Sequence, residues 1–287
     1  MDWIRLKNGA KRRLLFYCDI FRIKEACVKG KYTYVVWVQY LGFRYSGWQR
    51  QPGQKTIEGM IRKTLKFIRP GETFKILGAS RTDARVSAFK MAFQLITSEE
   101  LNGRMAVFMG ELNENLPPDI RILQIEEGRE GLNIIKDANK KEYVYFFSFG
   151  PKNHPFCAPF MANFQGDLDL DLMKETALLF EGAHYFHNFT AQLQVGKKVF
   201  RKVAFCRITE NEELSASFFP EKSYVLTVRG DGFMRYQIRM MMGALVLVGK
   251  GEVDPGLIER ALLKEEEIRI PFIAPSSGLF LKNLELI

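Results

Sequence analysis

The arrangement best suited to chemistry in this sequence is one aspartate between two arginines. Asp83 has Arg81 two residues before it and Arg85 two residues after it, in the polar segment 78–88 between two predicted strands. An ionised carboxylate can act as a nucleophile or as a base, and loops between strands commonly carry functional groups. The same residues could form an ion pair at the surface, so the spacing alone leaves both interpretations open.

The loop after the first predicted strand mixes aromatic rings, glycines and arginines over residues 40–51. Aromatic rings stack on bases and arginines contact phosphates. This composition therefore favours a nucleic-acid contact, with Tyr45 and Gln49 as candidate binding residues. The alternative is a turn whose rings pack into the core.

Two arginines interrupt a predicted apolar helix over residues 234–248. Arg235 and Arg239 are four residues apart, so they share one helix face. A buried guanidinium is costly unless a carboxylate or phosphate meets it. Arg235, near the helix start, can reach water along the helix surface, whereas Arg239, one turn deeper, is expected to have a partner.

Metal and nucleotide cofactors find no support in the sequence. His184 and His187 have metal-ligand spacing but no third ligand nearby, and the four cysteines are scattered with no CxxC pair. Neither a P-loop nor a GxGxxG motif occurs. We expect reduced cysteines, no metal and no cofactor.

Hydrophobic periodicity predicts the elements that must position these residues. An order β-α-β-β-α-β occurs twice, as in ferredoxin-like and RNA-recognition folds. We therefore predict an α+β protein with units at 32–130 and 131–287 and a central cleft between two sheets. The expected strands are 31–40, 74–78, 89–96, 120–126, 143–148, 199–208, 224–228 and 279–286, and the expected helices are 57–68, 101–112, 168–180, 234–248 and a short one near 256–263.

Charge is concentrated at the amino terminus. The 287 residues carry a formal net charge of +9, and residues 1–31 hold nine basic against three acidic side chains. Such a basic arm favours contact with a polyanion, most often nucleic acid, although a solvated tail has the same composition. A hydrophobic fraction of 47% excludes a disordered chain. The longest apolar run, at 240–248, is too short to span a membrane, so we expect a soluble protein.

Several of these segments, in this order, resemble the motifs of the TruA family of tRNA pseudouridine synthases over residues 32–287. The resemblance involves the loop 40–51 ending in Gly-Trp-Gln, the Arg-Thr-Asp of residues 81–83, the segment 116–122, the basic-aromatic strand 141–145, the helix segment 232–243 and the carboxyl-terminal strand 274–281. Ser87, where the bacterial pattern has histidine, together with the segments 187–190 and 237–239, resembles the eukaryotic multisite branch more closely. Arg85 in place of a glycine and Ile135 in place of a basic residue depart from the family pattern.

The resemblance implies that the protein isomerises uridine to pseudouridine in tRNA without a cofactor. It implies that Asp83 is the catalytic carboxylate, that Arg239 is its partner and that Tyr143 stacks on a flipped uracil. Arg81 is the candidate to fill the space that the base vacates. The RNA-contacting candidates are Arg81, Arg85, Tyr45, Gln49, Tyr143, His187 and Arg235.

A catalytically silent RNA-binding protein on the same fold is the alternative function, and Arg85 is the feature that favours it. The expected partner is tRNA, with mRNA and snRNA as further candidates and no membrane. A monomer and a homodimer stay open, as do a nuclear and a cytoplasmic location.

Overall fold

The computed structural model describes residues 32–101, 103–191 and 199–287. The predicted basic arm, residues 1–31, lies outside the described residues.

The first unit forms a four-stranded antiparallel sheet covered by two helices. Its strands run in the order β4-β1-β3, and β2 pairs with one end of β3. The first helix begins after Thr56, whose side chain accepts a hydrogen bond of 3.2 Å from the backbone N–H of Gly59. The elements are β1 (Tyr32–Tyr40), α1 (Ile57–Ile68), β2 (Phe74–Gly78), β3 (Ser87–Thr97), α2 (Met105–Asn115) and β4 (Ile120–Glu127).

The second unit uses the same sheet order with two short additions. Its strands run β10-β5-β9-β8-β7, and β6 pairs with β5. The elements are α3 (Ile134–Asp137), β5 (Ala138–Gly150), β6 (Ala162–Gln165), α4 (Leu170–Ala177), β7 (Gly182–Tyr185), β8 (Phe200–Glu210), β9 (Tyr224–Gly230), α5 (Gln237–Gly249), α6 (Pro255–Ala261) and β10 (Leu279–Leu286). The predicted α+β class and the repeated element order are confirmed. The boundary between residues 130 and 131 stays a prediction.

The last strand joins the sheets of the two units into one, which contains ten strands among the described residues. The predicted division into two sheets was therefore wrong. Phe280 pairs with Ser87 of β3 on one side and with Val144 of β5 on the other. Neighbouring strands lie about 4.8 Å apart. Strand β10 therefore fixes the distance between the loop that precedes Ser87 and the side chains of β5.

Two helix starts differ from the prediction for backbone reasons. Helix α2 begins at Met105 rather than near 101, because Gly103 has a positive φ of 71°. Helix α5 begins at Gln237 rather than at 234, because Tyr236 has a φ of 64°. Strands β6 and β7 were not predicted, since four-residue strands carry little periodic signal.

The main core lies between the sheet and the helices, and α5 is almost entirely buried in it. A smaller aromatic cluster around Phe146 and Phe280 covers the opposite face of the sheet. In the part of the chain that the structure describes, no helix is long and apolar enough to cross a membrane.

Candidate active site

A cavity of about 910 Å³ opens between the loop joining β2 to β3 and the second unit. Asp83 and Arg81 line it from the loop, and Lys141 and Tyr143 line it from β5. The segment 233–238, at the start of α5, completes the wall. Asp83 is the only carboxylate among the described residues that line this cavity.

The loop that carries Asp83, residues 79–86, is held by hydrogen bonds to the segment 42–48. The backbone N–H of Trp48 donates to the Thr82 carbonyl at 3.1 Å, and the N–H of Arg85 donates to the Tyr45 carbonyl at 3.0 Å. Gly47 approaches the loop so closely that an added Cβ would lie 2.6 Å from the Thr82 carbonyl oxygen. Glycine at this position therefore permits the backbone contact that positions Asp83.

Side chains also fix the loop. The hydroxyls of Tyr40 and Thr82 share a buried hydrogen bond of 2.8 Å. The hydroxyls of Ser80 and Tyr143 share another at 3.1 Å. The loop is thereby tied to β1 on one side and to β5 on the other.

Burial and nearby cations act on Asp83 in opposite directions. Burial raises the pKa of this partly buried carboxyl, and the charges of Arg239 and Arg235 lower it. Burial is the larger effect, so the pKa lies above the ordinary range for aspartate. A carboxylate with a raised pKa is a stronger base once it has lost its proton.

Tyr143 is buried against the cavity. Burial raises the pKa of its hydroxyl to about 12, so the hydroxyl keeps its proton at neutral pH. The Tyr143 ring contacts Phe233 edge to face, with ring centroids 5.5 Å apart. This wall therefore presents an uncharged aromatic side chain beside Asp83.

Arg239 acts on Asp83 through its positive charge, as expected of a partner, and not through a direct ion pair. Its Nε donates to the carbonyl of Ala274 at 2.8 Å, and its guanidinium lies 4.9 Å from the centre of the Tyr236 ring. Within the described residues it makes no ion pair with Asp83. Because α5 begins at Gln237, Arg239 lies in the first turn and Arg235 precedes the helix, contrary to the prediction.

The other predicted RNA contacts separate into two groups. Arg81, Gln49 and Arg235 are exposed and line the cavity. Tyr45, in contrast, is only 2% exposed and donates its hydroxyl proton to Asp119 at 2.6 Å, so a stacking role for this ring is contradicted. The Tyr45 ring packs into the core, as in the alternative interpretation of this loop.

Arg85 and His187 lie outside the cavity lining. The Arg85 guanidinium lies 5.8 Å from the centre of the Phe43 ring. Its φ of 66° lies in the left-handed region, which glycine adopts freely. The Nε2 of His187 is 2.7 Å from the Glu266 carbonyl oxygen, which ties this residue to the chain after α6.

Two residues of the site were not predicted from the sequence. Lys141 is largely buried, and its ammonium donates to the Ala79 carbonyl at 3.0 Å. The two-residue spacing of Lys141 and Tyr143 on one strand was the available signal, because alternate residues share a face. Tyr236 lines the cavity, and no sequence pattern distinguishes its left-handed backbone.

No group of three or more potential metal ligands occurs among the described residues. Nε2 of His184 lies 2.7 Å from the Glu181 carbonyl oxygen, so the two histidines serve backbone contacts.

Comparison with known proteins assigns the chain to a family. Residues 176–285 match the family described as tRNA pseudouridine synthase. The chain is 30% identical over 249 residues to tRNA pseudouridine synthase A of Thermodesulfovibrio yellowstonii, covering 86% of this chain and 96% of the relative. It is 31% identical over 247 residues to the protein of the same name from Pelobacter propionicus, covering 86% and 96%.

A third relative, tRNA pseudouridine synthase A 2 of Bacillus cereus, is 30% identical over 255 residues, covering 88% of this chain and 99% of the relative. A solved structure titled "Crystal Structure of a Cbf5-Nop10-Gar1 Complex" aligns with 72% of this chain and 45% of that chain, at 15% identity and a TM-score of 0.30. That likeness is too weak to support an argument.

The fold and these relatives define a pseudouridine-forming isomerase that acts on tRNA. The chain belongs to the TruA family of tRNA pseudouridine synthases.

Proposed function

We propose that Asp83 is the catalytic carboxylate with which this chain converts uridine to pseudouridine in tRNA. The observation that carries the proposal is that, among the described residues, Asp83 is the single carboxylate lining the cavity, on a loop tied to β1 and β5. Charged cavity walls from Arg81 and Arg235 suit a phosphate-bearing substrate.

The reaction exchanges one bond for another without an external reactant. The N1–C1′ glycosidic bond breaks, the uracil rotates, and C5 bonds to C1′. The C5 proton leaves, and N1 gains a proton. Asp83 can assist as a nucleophile at C1′ or as the base that removes the C2′ proton, and both routes need its ionised form.

The second unit supplies the groups that support Asp83 in this proposal. Tyr143 stacks on the uracil, and its hydroxyl assists removal of the C5 proton. Arg239 and Arg235 stabilise the carboxylate electrostatically. The reacting uridine must leave its helix to reach the cavity, at a cost of a few kcal/mol, and Arg81 is our candidate to occupy the vacated space.

Release of tritium from tRNA labelled with 5-³H-uridine tests the function, because C5 loses its hydrogen only if isomerisation occurs. We expect release by the purified protein and none by Asp83→Asn purified in the same way. Tight tRNA binding without release by the unchanged protein, across several tRNAs, would favour the silent RNA-binding alternative.

The basic arm is proposed to bind phosphates of tRNA. Deleting residues 1–30 is then expected to weaken tRNA binding and to reduce the slope of log K against log salt, since each phosphate contact contributes about 0.7–0.9 to that slope. Filter binding at several salt concentrations measures it. An unchanged slope would mean that the arm makes no phosphate contacts.

The finer assignments stay predictions. Membership of the eukaryotic multisite branch rests on the residues quoted above, while the relatives named here are bacterial. Action on mRNA or snRNA, the oligomeric state and a nuclear location are likewise open to experiment.

A further inference from the structure

Tyr236 occupies a backbone conformation that is costly for its residue type. With φ at 64° and ψ at 4°, it lies in the left-handed region immediately before α5. A bulky residue rarely adopts this conformation unless the surrounding structure enforces it. Such strain is concentrated at functional sites, and Tyr236 lines the active-site cavity.

The Tyr236 ring contacts both Arg235 and Arg239. The guanidinium carbons of Arg235 and Arg239 each lie 4.9 Å from the ring centre. Arg235 Nη2 also donates to the Tyr236 hydroxyl at 3.2 Å. The electron-rich face of an aromatic ring attracts a cation at this distance.

The strained backbone explains how one ring can contact both arginines. In a continuous helix, residues four apart share a face and the residue after the first lies about 100° away from it. A helical residue 236 would therefore project away from the face of residues 235 and 239. The left-handed turn at Tyr236 instead brings the ring to both guanidinium groups.

We propose that Tyr236 is a positioning residue for the isomerisation, whose ring holds Arg235 and Arg239 at the distance from which both charges act on Asp83. This inference rests on the proposed catalytic role of Asp83. These two arginines are the cations that oppose the effect of burial on Asp83. The other charged or titratable groups that line the cavity are Arg81, Lys141 and Tyr143.

The ring can be removed without disturbing the backbone. Tyr236→Asn deletes the aromatic face, and asparagine tolerates the left-handed region better than other non-glycine residues. Tyr236→Phe is the matched control, because it keeps the ring and removes only the hydroxyl. Tyr236→Gly, which adopts this φ freely, replaces the asparagine variant if that protein does not fold.

We expect Tyr236→Asn to lower kcat about tenfold, the effect of losing cation–π contacts of ordinary strength, with little change in KM for tRNA. Asp83 must be ionised to act, so activity falls as pH drops through its pKa. If Arg235 and Arg239 are no longer held near Asp83, the pKa of Asp83 rises further. The low-pH side of the kcat profile, here called the acid limb, then moves to higher pH. Tyr236→Phe is expected to stay within about twofold of the unchanged protein, with the original acid limb.

Three results would overturn the inference: an unchanged kcat and acid limb in Tyr236→Asn, an equal loss in the asparagine and phenylalanine variants, or a change confined to KM. The last would make Tyr236 an RNA contact. If the unchanged protein itself releases no tritium, the proposed function fails. If it is active and Asp83→Asn is not, a normal Tyr236→Asn overturns only the positioning role.

Discussion

One wall of the active-site cavity is a loop, whereas the opposite wall is a strand and the start of a helix. The loop, residues 79–86, exposes Arg81 and Ala84 and accepts or donates backbone hydrogen bonds with residues 42–48. The opposite wall buries Tyr143 and Gln237, and α5 is enclosed by the core. The proposed reacting carboxylate thus lies on the loop wall, and the groups that modify it lie on the strand and at the start of the helix.

Substitutions in the two walls should therefore affect the enzyme in two different ways. Changes in the loop should move or remove the carboxylate. Changes in the strand and helix should leave the carboxylate in the cavity but alter its charge environment or its attachment. Hydrogen bonds between described residues connect the walls directly: one joins the Ser80 and Tyr143 hydroxyls, and one runs from the Lys141 ammonium to the Ala79 carbonyl.

After the loss of Asp83 itself, the largest effect is expected for Arg239→Met. The change removes a charge that stabilises ionised Asp83 and the 2.8 Å bond to the Ala274 carbonyl. We expect single-turnover rates to fall on the order of 10²- to 10³-fold. Arg129→Met, which removes an exposed arginine outside the cavity lining, is the control and should retain the full rate. A near-normal rate for Arg239→Met would contradict the role of its charge.

A smaller but still large effect is expected for Gly47→Ala, which disturbs the loop wall alone. Gly47 has a φ of +93°, and its added Cβ would lie 2.6 Å from the Thr82 carbonyl oxygen. Gly53 offers a matched control, since its φ is +69° but an added Cβ would meet nothing within 4 Å. Both alanines are strained, whereas only the first displaces the loop.

We expect Gly47→Ala to lose about 10- to 100-fold in kcat, because small displacements of a catalytic group are costly. Gly53→Ala should lose stability in thermal unfolding but retain kcat. Equal kcat for the two variants would show that the contact between Gly47 and the loop does not position Asp83.

A still smaller effect is expected for Lys141→Met, which removes one of the hydrogen bonds between the walls. Burial lowers the pKa of the Lys141 ammonium, and its replacement removes the bond to Ala79 while keeping the side-chain length. We expect about a tenfold loss in kcat. Lys140→Met is the control, because that side chain is 67% exposed and pairs with Glu285 at the surface. Equal losses of kcat in both variants would show that the hydrogen bond from Lys141 to Ala79 does not support catalysis.

Much of the fold could be predicted because its elements are long and regularly periodic. Strands β1, β8 and β10 and helix α1 occur close to where alternation, apolar spacing and the Thr56 cap predict them. The single sheet could not be predicted, since it depends on β10 pairing with both β3 and β5. Such pairing between distant segments leaves no local pattern in the sequence.

The candidate site was predictable in its residues but not in its contacts. Asp83, Tyr143 and Arg81 do line one cavity. Tyr45 could not be placed from its type alone, because nothing in the sequence shows that its ring is buried and its hydroxyl meets Asp119. The place of Arg239 in the first turn of α5 follows from the backbone at Tyr236. Both depend on tertiary structure.

The central claim is that Asp83 performs chemistry and does not hold the RNA. The most direct test measures tRNA affinity and single-turnover rate on the same preparation of Asp83→Asn. The control is Asp231→Asn, which changes an exposed aspartate near the start of α5 that does not line the cavity. We expect affinity within about twofold of the unchanged protein and a rate reduced on the order of 10³-fold or more, as for loss of an acid–base or nucleophilic group. Parallel loss of affinity and rate in Asp83→Asn, with normal behaviour of Asp231→Asn, would contradict it.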